Sequence, residues 1–354
     1  MTKLTKSDII HLKQLEGWSM AITAKELAAR IGLSEAAVSM ALNNKPGVST
    51  ATRKRVLDAA HLYGYDFSRK AVVGTTVKGT ICFAIYKKSG AVVGDTPFFA
   101  SLSEGISTGC KRDHYDLVIR YLYEDEALED QLYNLEASKF TGIILLATEM
   151  TASSLAPFSA IKTPIVILDS YFETLDYNYV LINNIQGAFL ATNYLISKRR
   201  TQPGYLRSAY PIGNFEERAD GFYKAVRANG MSTSKSIVHR LTPSEEGAYA
   251  DMKALLHSGE DLASCYFADN DHIAIGAVTA LKEAGYKIPE DIAVVGFDDL
   301  PFCEFLDPPL TTINVPTHFM GETASKRLIQ IVEGKNLLPV KIEISTRLKK
   351  RKSI

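Results

Sequence analysis

The chain has 354 residues, 46% of them hydrophobic, with 40 basic side chains balanced by 40 acidic ones. That length suits two or three domains, and no apolar run approaches the roughly 20 residues of a membrane-spanning helix. The first 70 residues carry 11 Lys and Arg against 6 Asp and Glu, so a small basic part precedes a mildly acidic body and a polyanion is expected to meet one end only.

The N-terminus shows no apolar signal core, which predicts a cytoplasmic protein. Thr23-Ala24-Lys25-Glu26 is a capping box opening a helix that carries Leu27, Ala28 and Ile31 on one face. Gly32 breaks that helix, and Ser34 caps a second, with Glu35 at its positive end and an apolar stripe of Val38, Ala41 and Leu42. Asn43 to Gly47 is a loop, and Ser49 caps a third helix that runs to Tyr63 and stops at Gly64. Two short helices joined through a Gly turn, plus a third, make a minimal helix-turn-helix. On pattern alone, a plain three-helix bundle fits as well.

From Gly79 onward buried strands alternate with amphipathic helices. Strands are predicted at 80–86, 115–122, 142–147, 164–169 and 179–183, then more weakly at 203–209 and 236–241, and again at 264–270 and 292–299. Helices are predicted at 98–112, 186–199, 215–229, 245–257 and 272–284. This rhythm, in two blocks of similar length, implies two Rossmann-like subdomains with parallel sheets. No G-x-G-x-x-G follows the first strand, so no dinucleotide cofactor is expected, and no G-x-S-x-G, H-E-x-x-H or P-loop marks an enzyme. Cys82, Cys110, Cys265 and Cys303 have no metal spacing and read as core hydrophobes. Asp298-Asp299 with His272 and Asp271 is the nearest approach to a metal cluster, but acids at strand ends are better read as hydroxyl binders. The run Lys349-Lys350-Arg351-Lys352 reads as a solvated, disordered tail over 349–354.

The segment ITAKELAARIGLSEAAVSMALNNKPGVSTATRKRVLDAAHLYGY resembles the DNA-binding headpiece of the lactose-repressor (LacI/GalR) family of bacterial transcription regulators. The likeness rests on V-S-x-x-L-N, V-S-x-x-T-R and the closing L-x-Y-G-Y. FADNDHIAIGAVTALKEAGYKIPEDIAVVGFDDLPFCEFLDPPLTTINVP resembles the effector domain of the same family, and GETASKRLIQIVEG its next helix. The resemblance implies an all-α helix-turn-helix headpiece over 21–65, a linker over 66–78 and an α/β periplasmic-binding-protein-like domain over 79–348, and since relatives start just before the position of Thr23 it makes 1–20 an optional extension or an over-extended start, with Met20-Ala21 a natural beginning. That domain would bind the effector and form a homodimer. Its subdomains would comprise 79–185 with 313–337 and 186–312 with 338–348, crossing near 184–186, 312–315 and 336–340. The partners implied are double-stranded operator DNA and a small effector, a carbohydrate by default or a purine-type corepressor, with no membrane, cofactor or metal.

For DNA, Thr23 and Lys25 at the start of the first helix are candidate contacts. Glu35 can accept from a cytosine amino group, and Ala36, Ala37 and Met40 can pack on thymine methyls. Ser34, Ser39, Asn43 and Lys45 can hold phosphates, as can Arg69 and Lys70 in the linker. The linker lacks the family's P-N start and its wedge Leu, so that wedge is not carried over. For the effector, the family likeness points to Phe98 and Phe99, with Phe99 the better ligand contact and its neighbour core, and to Arg218 in R-x-x-G-F. Asp298 and Asn270 follow the late strands, and Asp169 and Asn183 end two earlier ones. An aromatic that some relatives have at Ser170 is absent, with Tyr171 or Phe172 as substitutes.

Relatives usually carry Arg where Met40 stands, and an Arg can read guanine bidentately. Met40→Arg is therefore expected to add a guanine preference at one operator position, read by selection on random duplexes. An unchanged preference at every position would contradict the assignment of Met40 to base contact.

Overall fold

The computed structural model describes residues 22–42, 47–63, 65, 77–88, 90, 92–94, 96–335 and 338–354. The chain divides into two compact units, 1–75 and 76–354. The extension over 1–20, Asn43, Lys45, Gly64, Arg69 and Lys70 lie outside the described residues, as does all of the linker before Val77.

The first unit holds α1 (Ala24–Ile31), α2 (Glu35–Leu42) and α3 (Thr50–Leu62). The capping box forms: the Thr23 hydroxyl accepts from the Glu26 N–H at 3.2 Å, and the Glu26 carboxylate accepts from the Thr23 N–H at 2.8 Å. Gly32 ends α1 at φ 66°, a left-handed conformation that a side chain would strain. Ser34 and Ser49 cap the next two helices through the N–H groups of Ala37 and Thr52. Leu27, Val38, Val56 and Ala60 interlock at the centre, all fully buried. Burial of a Leu or Val side chain there stabilises by roughly 1.5–3 kcal/mol.

The second unit begins with β1 (Thr80–Lys87), α4 (Pro97–Arg112), β2 (Asp116–Tyr123), α5 (Leu128–Ala137), β3 (Gly142–Leu146), α6 (Ala152–Leu155), β4 (Ile165–Leu168) and β5 (Asn178–Ile182). It continues through α7 (Asn184–Arg199), β6 (Gly204–Ser208), α8 (Gly213–Ala228), β7 (Val238–Leu241), α9 (Glu245–Ser258), β8 (Cys265–Ala268), α10 (Asp271–Glu283) and β9 (Ala293–Val295). β10 (Thr312–Asn314), α11 (Thr317–Val332), β11 (Lys341–Ile344) and β12 (Arg347–Lys349) close the chain. The first sheet runs β11-β5-β4-β3-β1-β2 and the second β7-β6-β8-β9, each wholly parallel, while β10 and β12 form a separate antiparallel pair. Central strands are unbroken apolar runs because helices cover both faces, whereas the edge strand β7 alternates exposed and buried residues. All four cysteines are buried and free. α4 and α11 lie in such close contact that a Cβ on Gly105 would fall 2.0 Å from the His318 carbonyl oxygen.

The chain crosses between sheets after β5 and again between β10 and α11. The third crossing departs from expectation. Lys341–Ile344 pairs in parallel with Tyr179–Ile182, so 341–344 belongs to the first sheet and the crossing follows Ile344 rather than falling at 336–340. The basic end also departs from expectation, because it is docked. Val294 donates its N–H to the Ser353 carbonyl, and the Ser353 hydroxyl donates to the Val294 carbonyl at 2.6 Å and accepts from the Thr311 N–H at 2.8 Å. Arg351 turns inward to Asp299 at 2.7 Å, while Lys349, Lys350 and Lys352 stay exposed. Alternation from Lys350 onward sends Arg351 and Ser353 toward the protein and leaves Lys350 and Lys352 outside.

Ser353→Ala leaves the buried Thr311 N–H without its acceptor. It is expected to cost about 1–3 kcal/mol of effector-domain stability in urea unfolding. A midpoint identical to wild type would mean that the tail is not docked in solution.

Candidate functional site

A cleft of roughly 250 Å³ opens between the two sheets, walled by the segments that leave the carboxyl ends of their strands. Ligands of open α/β sheets bind in that crevice, where strand ends present unpaired backbone and short polar turns. The first subdomain contributes Phe98 and Phe99 at the start of α4, Thr148 after β3 and Asp169 after β4. The second contributes Asn214, Phe215 and Arg218 of α8, Glu245 and Glu246 of α9, Asn270 and His272 around the start of α10, and Asp298 after β9.

Arg218 lies at the centre and is only 4% exposed. Its guanidinium carbon sits 3.8 Å from the centroid of the Phe297 ring, a close cation–π contact. Nε donates to the Asn184 side-chain oxygen at 2.9 Å, one terminal nitrogen donates to the Asp269 carbonyl, and the other lies 3.4 Å from Asp298 Oδ1. Three of the five N–H groups of the fork are thus committed, which fixes its plane and leaves two for a ligand.

Asp169 and Asp298 face the cleft from opposite subdomains, both in left-handed backbone at φ 66° and φ 112°. Such conformations cost about 1–3 kcal/mol each and persist where surrounding structure holds them. The Thr148 hydroxyl donates to Asp169 at 2.7 Å. The turn after Asp298 is held by Asp271, whose carboxylate accepts from the Leu300 N–H at 2.9 Å and the Thr312 hydroxyl at 2.6 Å. Asp299 pairs with Arg351 and Asn314. Burial pushes Asp169, Asp269 and Asp271 up to about 6, hydrogen bonds opposing it in each case. Burial pushes Asp298 up to about 8, with Arg218 drawing it down and Asp271 and Asp169 adding to the rise. Burial also lowers His272, against Glu245 and Glu246. Among the described residues no group of three acids, His or Cys is placed to hold a metal ion.

Phe98, Phe99, Asp169, Arg218, Asn270 and Asp298 come together in this cleft. Phe98 packs against the cores of both subdomains and Phe99 against one, yet both rings are part-exposed to the cleft and meet edge to face at 5.0 Å. Asn183 lies outside it. Its side-chain oxygen caps α7 at the Gln186 N–H and its amide donates to Glu343, so it serves the crossover in a neighbouring hollow. Asn270 likewise spends its oxygen on the Ile273 N–H, capping α10, which leaves its amide nitrogen for a ligand. Thr148, Asn214, Phe215 and the Glu245-Glu246 pair escaped sequence reading. Thr148 alone carried a signal, as a polar residue directly ending an apolar strand.

In the first unit Ser34, Glu35 and Ala36 are exposed at the start of α2, as are Thr23 and Lys25 on α1, while Ala37, Ser39 and Met40 are half-buried. Ser34 and Thr23 already act as helix caps. The Met40 sulfur lies 3.0 Å from where a Cβ on Gly47 would sit, so its side chain bends toward that turn. Arg53 and Arg55 of α3 donate to the terminal carbonyls of α2 and α1, which fixes the angle between these helices.

Comparison with known proteins is consistent with both units. Residues 23–66 match the sequence pattern described as bacterial regulatory proteins, lacI family, and 192–354 match the periplasmic binding protein-like domain. The HTH-type transcriptional repressor PurR of Mannheimia succiniciproducens is 30% identical over 341 residues, 94% of this chain and 98% of that protein. The HTH-type transcriptional regulator GalS of Salmonella typhimurium is 30% identical over 88% of this chain and 91% of its own. The solved complex of the transcriptional regulator CelR with cellobiose superposes with a TM-score of 0.69 at 25% identity, covering 94% of this chain and 99% of that one.

Because the folded state holds Asp298 above its unfolded value, the protonated form favours folding. That contribution is complete below the ordinary aspartate range and is lost as pH rises towards about 8. Asp298→Asn is expected to make the fall in effector-domain stability over this window shallower, measured by urea unfolding at a series of pH values. Equal slopes in the two proteins would show that Asp298 titrates normally.

Proposed function

The chain belongs to the lacI family of bacterial regulatory proteins and is a DNA-binding transcription regulator with a ligand-binding domain, and we propose that it is a cytoplasmic, dimeric repressor released by a small unphosphorylated carbohydrate. One observation carries the effector class. Two carboxylates, Asp169 and Asp298, face the cleft from opposite subdomains, with the fork of Arg218 beside Asp298. The oxygens of both acids accept from sugar hydroxyls, Asp298 can also donate its O–H while burial keeps it protonated, the free N–H groups of Arg218 donate to those hydroxyls, and the Phe98, Phe99 and Phe215 rings suit C–H faces. Glu245 and Glu246 add negative charge at the same cleft while burial keeps His272 below its usual range, so a phosphate ester meets repulsion. The three aromatic rings also favour a second reading, a flat purine-type corepressor.

An effector that touches both subdomains binds the closed arrangement better than the open one, and that difference alone shifts the equilibrium. Two headpieces would take half-sites of a roughly palindromic operator, with the exposed start of α2 toward the major groove and capping hydroxyls near phosphates. The dimer reading is supported by β2, an edge strand that exposes Ile119, Tyr121 and Tyr123 on one face, and by Phe305, which is 84% exposed.

The reading is tested with the full chain, the DNA upstream of its own gene, and cellobiose, D-galactose, D-ribose, glucose 6-phosphate and hypoxanthine. Salt-sensitive binding to one upstream site is expected from a protein sedimenting as a dimer. One neutral sugar should release the DNA and raise the melting temperature, since a ligand at ~100 times its Kd adds about 2.7 kcal/mol. A response to hypoxanthine alone supports the second reading. A response to the phosphate ester alone, or no specific binding to any upstream DNA, contradicts the proposal.

A further inference from the structure

The segment that leaves β1 walls the cleft through Gly90, Val92, Gly94 and Thr96, yet none of its described residues pairs with a strand. A single side chain gathers its main chain. Glu149, 6% exposed and adjacent to Thr148, accepts from Lys88 N–H at 2.8 Å and Gly90 N–H at 3.1 Å through Oε2. Through Oε1 it accepts from Val92 N–H at 2.9 Å and Val93 N–H at 3.0 Å. Converging main-chain N–H groups form a concave, positively polarised nest that suits an anion, and each of these bonds is charge-assisted.

We infer that Glu149 is the positioning residue that builds the first-subdomain wall of the effector cleft, resting on the reading of that cleft as the effector site. The paired residues divide the work. Thr148 orients the Asp169 carboxylate, and Glu149 sets the opposite stretch of wall at Gly90 and Val92. Only a carboxylate presents acceptors alone at both oxygens. A glutamine in its place turns an NH₂ group against two N–H donors, and an aspartate keeps the charge but reaches one methylene less far. The arrangement also bears on specificity. A glycine-containing turn with converging N–H groups could cradle a phosphate, but here the protein's own carboxylate fills the nest, so this wall offers an effector no anion site.

The test compares wild type, Glu149→Gln and Glu149→Asp as full chains. Amide hydrogen exchange without effector reads the wall directly. In Glu149→Gln the amides of Lys88, Gly90, Val92 and Val93 are expected to exchange at least roughly ten-fold faster while β3 amides stay protected, with Glu149→Asp between. Calorimetric titration uses whichever of cellobiose, D-galactose, D-ribose and hypoxanthine binds wild type. Its Kd should rise about ten-fold or more in Glu149→Gln through lost pre-organisation, while operator affinity without effector is unchanged. Unchanged exchange overturns the inference, as does faster exchange with an unchanged Kd. If none of these compounds binds wild type, the carbohydrate and purine readings fail on their own account, and exchange alone decides whether Glu149 holds the wall. If Glu149→Gln does not fold, Glu149→Asp decides by the same two readouts.

Discussion

Arg218 is the constraint around which the effector domain is arranged. A buried guanidinium is tolerated only when its charge and its donors are answered, and here Phe297, Asn184, the Asp269 carbonyl and Asp298 answer them from three separate segments. Each partner is held in turn. Tyr205 and the Ser208 N–H hold the Asp269 carboxylate, and the Glu217 carboxylate accepts from the Asn184 amide. Asn184 begins α7, at the first crossing between sheets, so the orientation of the fork is tied to a segment that joins the two subdomains. A ligand that engages the fork thereby bears on the crossing as well as on the cleft walls.

The acids at the strand ends differ in use although they look alike. Asp269 and Asp271 are fully buried and spend their oxygens on main-chain N–H groups and hydroxyls of the protein. Asp169 and Asp298 keep a face toward the cleft, in left-handed backbone that Asp tolerates better than most residues. Structural acids thus fix the turns, and the displayed acids can work against rigid walls. Glu149 performs the same structural service for the wall after β1.

Much of this could be read from residues alone, for reasons that differ from site to site. Asp169 and Asp298 each close an apolar run, and a carboxylate at the end of a buried parallel strand has few places to go but the crevice. Arg218 stood out within R-x-x-G-F, but its burial did not, since Phe297 and Asn184 are distant in sequence. Asn183 misled because a cap and a ligand contact ask for the same residue type, and only the position of the Gln186 N–H decides between them. β11 was hidden because an edge strand reading KIEI alternates charge with apolar residues, and its partner β5 lies far back in the chain. The docked tail was hidden for a similar reason: Ser353 sits in a charged run whose inward alternation is set by Val294 and Thr311. In the headpiece the caps and the Gly turn were plain, whereas the use of Arg53 and Arg55 on helix ends was not.

On the proposed function, effector engagement at the fork of Arg218 is what operator binding senses. Arg218→Lys keeps a charge beside Asp298 but cannot keep the planar fork or the Nε donor. The decisive measurement is the operator dissociation constant of Arg218→Lys and wild type, each with and without the sugar that releases wild type. Sugar is expected to weaken operator binding by wild type and to leave that of the variant unchanged, whatever the affinity of each without sugar. Release of the variant at the wild-type sugar concentration would contradict this role of Arg218.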